Sequence, residues 1–203
     1  MSIQYLVEHV ATAVAAISGS LAARGKQVDL FGVVVLAQVT ALGGGTLRDV
    51  ILDSRPVFWV ADPGYVITAT IAALLLFVVA RFSELPHKLL LFADAGGLAL
   101  FTVLGVDKSL TAGVSPVVAV AMGVMTGVAG GIIRDVLTSE IPLVFRHQIN
   151  LYATASLCGA SVFAILQQRV EASTAWSLAI GTTLLLRLAA IQWEIRLPLF
   201  HAK

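Results

Sequence analysis

The chain has 203 residues, 58% of them hydrophobic and only 12% charged, with a formal net charge of +1. A soluble domain carries about 25% charged residues, so this composition excludes an ordinary water-soluble domain and requires lipid to cover the apolar surface. The near-neutral balance also excludes a broad charged field for nucleic acid or an acidic partner.

A helix crosses the hydrocarbon core with roughly 20 mostly apolar residues. Seven segments qualify, at about 3–22, 30–47, 64–81, 88–106, 114–133, 148–167 and 174–192. The first reads as a span and not as a cleaved signal, because no Lys or Arg precedes it and Glu8 and His9 lie inside it. The connections are short and hold most of the charge. The fold class expected is therefore an all-α membrane protein, one transmembrane domain over 1–203. The lone Cys158 can form no internal disulfide, and His9, His87, His147 and His201 lack ligand spacing, so no metal site is expected.

The chain repeats itself. Gly43-Gly44-Gly45-Thr46-Leu47-Arg48-Asp49-Val50 recurs 86 residues later as Ala129-Gly130-Gly131-Ile132-Ile133-Arg134-Asp135-Val136. The same offset sets Pro56 on Pro142, Thr68 on Thr154, Phe77 on Phe163, Gly19 on Gly105 and Glu8 on Asp94. Repeat one covers 1–86 and repeat two 87–172, with an extra helix at 173–193 followed by a cytoplasmic tail. Three spans is an odd number, so the second copy enters from the opposite side. That is the inverted-repeat arrangement of transporters and some channels, with the path at the repeat interface. The side holding the C-terminus carries nine cationic residues (Arg24, Lys26, Arg81, Lys88, Arg134, Arg146, Arg187, Arg196, Lys203). The other side carries four (Arg48, Arg55, Lys108, Arg169). The positive-inside rule then places the C-terminus in the cytoplasm and the N-terminus outside.

The residues that carry chemistry sit in the repeated motif. Gly43, Gly44 and Gly45 in the second span, and Gly130 and Gly131 in the fifth, weaken a continuous helix. Two readings follow: bent or broken helices that free carbonyls toward a permeant ion, or close helix packing at small residues. Arg48 and Arg134 fall near the ends of their spans. They read either as charged constrictions at each mouth of a path or as interface anchors that snorkel. Asp49 and Asp135 beside them attract cations. Gln38, Gly45 and Asp49 share one helix face, flanked by Thr40 and Thr46, and Thr126, Gly130 and Arg134 share another. Such stripes suit either a weakly held monovalent ion or interhelical hydrogen bonds. Glu8 and Asp94 lie near helix starts, where an acid favours the dipole. No phosphate loop, catalytic triad or aromatic-basic interleaving is present, so no enzyme and no nucleic-acid partner are expected.

The motif Gly43-Gly44-Gly45-Thr46-Leu47-Arg48-Asp49, with Pro56-Val57-Phe58-Trp59 and Asp62-Pro63, resembles the bacterial trimeric intracellular cation (TRIC) channel family. So do Asp94-Ala95-Gly96-Gly97-Leu98-Ala99-Leu100-Phe101 and Gly130-Gly131-Ile132-Ile133-Arg134-Asp135. The resemblance covers nearly the whole chain. It implies seven spans, a homotrimer in the bacterial inner membrane, and a potassium-permeable pore in each subunit. The five glycines would be the pore bends. Gln38, Thr46, Arg48, Asp49, Thr126, Arg134 and Asp135 would be pore or gate residues. No cofactor is implied beyond permeant K⁺ and bound lipid. Ala129 stands where the first glycine of the second motif would be, so the fifth span is expected to bend less. Relatives labelled glycine-transporter-like make a carrier of a small amino acid the alternative.

Overall fold

A computed structural model describes residues 3–86, 88–146, 151–193 and 195. Among these the chain is all helical: α1 (Ile3–Ala22), α2 (Leu30–Ile51), α3 (Phe58–Ala61), α4 (Gly64–Phe82), α5 (Leu89–Thr111), α6 (Pro116–Leu137), a 3₁₀ turn (Leu143–Phe145), α7 (Tyr152–Leu166) and α8 (Ala172–Trp193). Six of these helices are long and apolar enough to cross a membrane, and α7 is apolar but spans 15 residues. The chain is a multi-pass helical membrane protein. The sixth expected span began at 148, and residues 148–150 lie outside the described residues, as do His87, His147, His201, Arg196 and Lys203.

Local chemistry sets the helix ends. The Asp29 carboxylate accepts the Gly32 N–H at 2.8 Å and caps α2. Pro116 opens α6, where its missing N–H costs nothing. Both helices run past the boundaries expected from hydropathy, to Ile51 and Leu137. The expected spans stopped at the first Arg, but those charges are paired inside the protein and the helix continues through them. Each helix then ends in the same αL motif. Ser54 N–H reaches Asp49 O at 2.8 Å with Asp53 at φ 50°, and Glu140 N–H reaches Asp135 O at 2.8 Å with Ser139 at φ 57°.

The centre is a four-helix core in which α1 packs on α2 and α5, and α6 packs on α5 and α2. Helix α4 lies against α1 and α2, while α7 and α8 cover α5 and α6. The α2–α6 crossing is reciprocal. A Cβ on Gly44 would stand 2.1 Å from Thr126 O, and one on Gly130 would stand 2.2 Å from Thr40 O. Position 40 maps on 126 and 44 on 130 by the 86-residue offset. Each glycine thus admits the carbonyl of its partner's repeat mate. Both helices are continuous through these glycines. The broken-helix expectation is therefore corrected: the glycines permit close approach without interrupting the helix.

This contact predicts a contrast. Gly130→Ala should lower the thermal midpoint of the purified protein, since backbone cannot yield and overpacking costs about 1–3 kcal/mol. Gly181→Ala, with nothing within 4 Å of its Cβ, should leave the midpoint unchanged or raise it by helix propensity. Thermal unfolding in detergent measures both.

Candidate functional site

Three cavities lie along the interface of α1, α2, α5 and α6. The middle one holds about 20 Å³ and is lined by Ser18, Thr40, Gly44, Asp94, Thr126 and Gly130, among others. A first mouth of about 40 Å³ is lined by Glu8, Thr12, Arg48, Phe58, Tyr65 and Lys108, and it shares Gly45 and Phe101 with the middle cavity. A second mouth of about 280 Å³ is lined by Arg24, Lys26, Asp135, Thr138, Glu140 and Arg146. The middle space admits little more than one water.

Arg134 stands between the middle cavity and the second mouth. It is fully buried. Its Nη1 donates to Asp94 Oδ1 at 2.8 Å and also to Ser18 Oγ, and its Nε donates to Asp135 Oδ1 at 2.8 Å. An unpaired charge in the membrane interior is costly, and two carboxylates and a hydroxyl compensate it here. The snorkelling reading of Arg134 is thus corrected, because the side chain is closed over by α1 and α5. Asp94 is likewise no first-turn cap. It is the sixth residue of α5, it is buried, and it serves Arg134.

At the first mouth Arg48 Nε donates to Asp49 Oδ1 at 2.8 Å, and its guanidinium lies 5.7 Å from the Phe58 ring centroid. Lys108 Nζ also reaches Asp49, at 2.9 Å. Glu8 accepts a hydrogen bond from Tyr65 Oη. Asp49 Oδ2 takes the Phe58 N–H at 3.0 Å, and Asp135 Oδ2 takes the Leu143 N–H at 2.8 Å. Each carboxylate therefore anchors the short helical turn that follows its span, and neither is free to attract an ion. Over the second mouth Glu140 joins Lys26 and Arg146. Lys26, and then Arg146, hold the Glu140 carboxyl below the usual carboxylate range.

The expected site residues divide. Gly44, Gly45, Gly130, Gly131 and Thr126 line the middle cavity, Arg48 the first mouth and Asp135 the second. Gly43 instead faces Ile133, whose Cδ1 would lie 2.9 Å from an added Cβ. Gln38 Nε2 donates to Thr70 Oγ1 at 2.8 Å and Val66 O at 3.2 Å, which ties α2 to α4. Thr46 Oγ1 donates to Leu42 O and accepts from Trp59 Nε1 at 2.9 Å. Neither Gln38 nor Thr46 lines these three cavities. Sequence reasoning did not name Ser18 or Tyr65, and it gave Lys108 and Phe58 no role at the site. For Phe58 the signal was present: Pro56 and Pro142 align in the repeat, and each precedes a short turn docked on its Asp.

The TRIC trimeric intracellular cation channel orthologue from Rhodobacter sphaeroides is 36% identical to this chain, with a TM-score of 0.90, covering 96% of this chain and 100% of that one. The chain belongs to the bacterial TRIC family. A family model described as "Glycine transporter" matches twice, over residues 5–81 and 91–168, so its two matches start 86 residues apart. Another TRIC structure, described by its basis for conductance through TRIC cation channels, is 33% identical with a TM-score of 0.87, covering 100% of this chain and 99% of that one. The UPF0126 inner membrane protein YadS of Escherichia coli (strain K12) is 48% identical over 199 residues, 97% of this chain and 95% of that protein. The reciprocal α2–α6 crossing is the structural face of this duplicated TRIC sequence.

The two carboxylates over the second mouth should behave differently. Asp135→Ala removes one of the two counter-charges of Arg134 and leaves the Leu143 N–H unpaired, so a loss of about 1–3 kcal/mol is expected. Glu140→Ala, at an exposed pair, should cost far less and lose its effect in high salt. Because the Glu140 pKa is lowered, its contribution is present above the ordinary carboxylate range and disappears as pH falls through the lowered value. Thermal midpoints against pH and salt test both statements.

Proposed function

We propose that this chain is a monovalent-cation channel of the inner membrane, a homotrimer with one potassium-permeable path in each subunit. The path runs between two inverted three-helix repeats of a single transmembrane domain, and helix α8 lies outside them. One observation carries this reading: the chain of small cavities at the repeat interface, interrupted by the buried Arg134. Similarity to solved TRIC cation channels over nearly the full chain supports it. Arg24, Lys26 and Arg146 gather at the second mouth, so that mouth is assigned to the cytoplasm, with the N-terminus outside. Gly44, Gly45, Gly130, Gly131 and Thr126 shape the centre, and permeant K⁺ is the expected cargo. Its partners are the bilayer and two further copies of this chain, and no nucleic acid or metal cofactor is expected.

A side chain pinned across the path blocks cations until it is displaced. Arg134 is therefore a barrier, and the conformation described is a closed one. The second reading, carriage of a small amino acid such as glycine, draws on the description of the family model. A middle cavity of about 20 Å³ does not hold glycine in this state.

The test is single-channel recording of purified protein in planar bilayers under asymmetric KCl. Discrete steps reversing near the K⁺ equilibrium potential are expected. A silent bilayer, with proteoliposomes that take up labelled glycine, would replace the channel by the carrier. Arg134→Ala should raise cation flux in protein that still elutes as a folded oligomer. Paired Gly44→Leu and Gly45→Leu should abolish flux by wedging α2 from α6.

A further inference from the structure

The two repeats place the same chemistry at both mouths but use it differently. In repeat two Arg134 pairs with Asp94 of its own repeat. The 86-residue offset maps Arg134 on Arg48 and Asp94 on Glu8. Arg48 and Glu8 line one cavity, yet no ion pair joins them among the described residues. Glu8 is held by Tyr65 of α4, and Arg48 by Asp49 and the Phe58 ring.

We propose that Arg48 and Glu8 form a second gate, matched to Arg134–Asp94, and that this structure holds one gate shut and the other unmade. Tyr65 is the positioning residue that keeps Glu8 off Arg48. The proposal rests on the conducting path argued above.

Two differences between the mouths support this assignment. Ser18 of repeat one hydrogen-bonds Arg134, whereas its repeat mate at the first mouth is Leu104, which offers Arg48 nothing. Lys108 competes with Arg48 for Asp49, whereas its repeat mate Ala22 leaves Asp135 to Arg134. Both differences leave Arg48 held less tightly at the first mouth than Arg134 at the second. A tyrosine from a helix outside the central four meets the acid in each half: Tyr65 of α4 donates to Glu8, and Tyr152 of α7 lies beside Asp94. Two equivalent ion pairs built on mirrored helices also give the molecule two discrete arrangements, which is what a gated path needs.

The experiment releases Glu8. Tyr65→Phe removes its short donor and leaves only the long hydrogen bond from Gln4 Nε2 at 3.4 Å, so Glu8 becomes free to close on Arg48. Single-channel open probability should fall about tenfold, the factor that losing one hydrogen bond to a charged group implies. Adding Glu8→Gln to Tyr65→Phe should restore it, which a merely structural role for Tyr65 would not allow. Independently of current, thermal midpoints of the Glu8→Gln and Arg48→Gln cycle should show little coupling in the parent protein. In the Tyr65→Phe background the cycle should show a coupling of about 2–4 °C. If the parent passes no current, the channel reading fails while the cycle still reports the pair. An unchanged or raised open probability in Tyr65→Phe, or no new coupling, overturns the proposal. If Tyr65→Phe does not fold, Leu104→Ser makes the test from the other side. It gives Arg48 the hydroxyl that Ser18 gives Arg134, with the same closure expected and the same reversal by Glu8→Gln. No closure in that variant overturns the proposal equally.

Discussion

The architecture hangs on the crossing of α2 and α6, where backbone meets backbone. Gly44 accepts the Thr126 carbonyl, and Gly130 the Thr40 carbonyl, at distances that exclude any side chain. In lipid there is no water to drive helices together, so close packing of small residues does that work. Once the crossing is made, the positions of Thr40, Thr126, Asp94 and Ser18 around the middle cavity follow. The same economy recurs at Gly19 against Leu36 O and at Gly105 against Gly123, which set α1 on α2 and α5 on α6. A core assembled this way leaves little empty volume at its centre.

The second constraint is electrostatic. Charges in the interior persist only when paired. Asp49 and Asp135 meet this rule in duplicate: each binds the Arg before it and then the first N–H of a short turn after it. The backbone carbonyl of the same Asp closes the helix end. One residue thereby terminates a span, fixes the next element and neutralises a guanidinium. The Arg is then available to a second acid only where geometry permits, as at Asp94.

In the proposed channel, function grows from the difference between the halves more than from their likeness. A strictly symmetric pair of repeats would close both mouths or neither. Here the cavity at the second end is wide, and the bonded cluster of Arg134, Asp94 and Ser18 lies beneath it. The first mouth is narrow, and its Arg and its acid are held apart. The basic rim at Arg24, Lys26 and Arg146 adds a field at one end only.

Sequence by itself determined the membrane class, the helical content, the 86-residue repeat and the importance of the glycine-arginine-aspartate motif. Those properties depend on composition and on spacing along one chain, which survive without knowledge of neighbours. It also located Glu8 and Asp94 as a matched pair. Only the tertiary structure decided what the motif does. Whether a glycine breaks a helix or admits a carbonyl depends on what lies opposite, and the facing atoms at Gly44 and Gly130 come from positions more than 80 residues away. Gln38 and Thr46 shared a face with the path in projection, but α4 and Trp59 supplied nearer partners and drew them aside. Arg134 looked like an interface anchor because hydropathy ends a span at its first charge. Burial by α1 and α5 made it an interior side chain instead, since a charge is tolerated at depth only where another element brings its counter-charge.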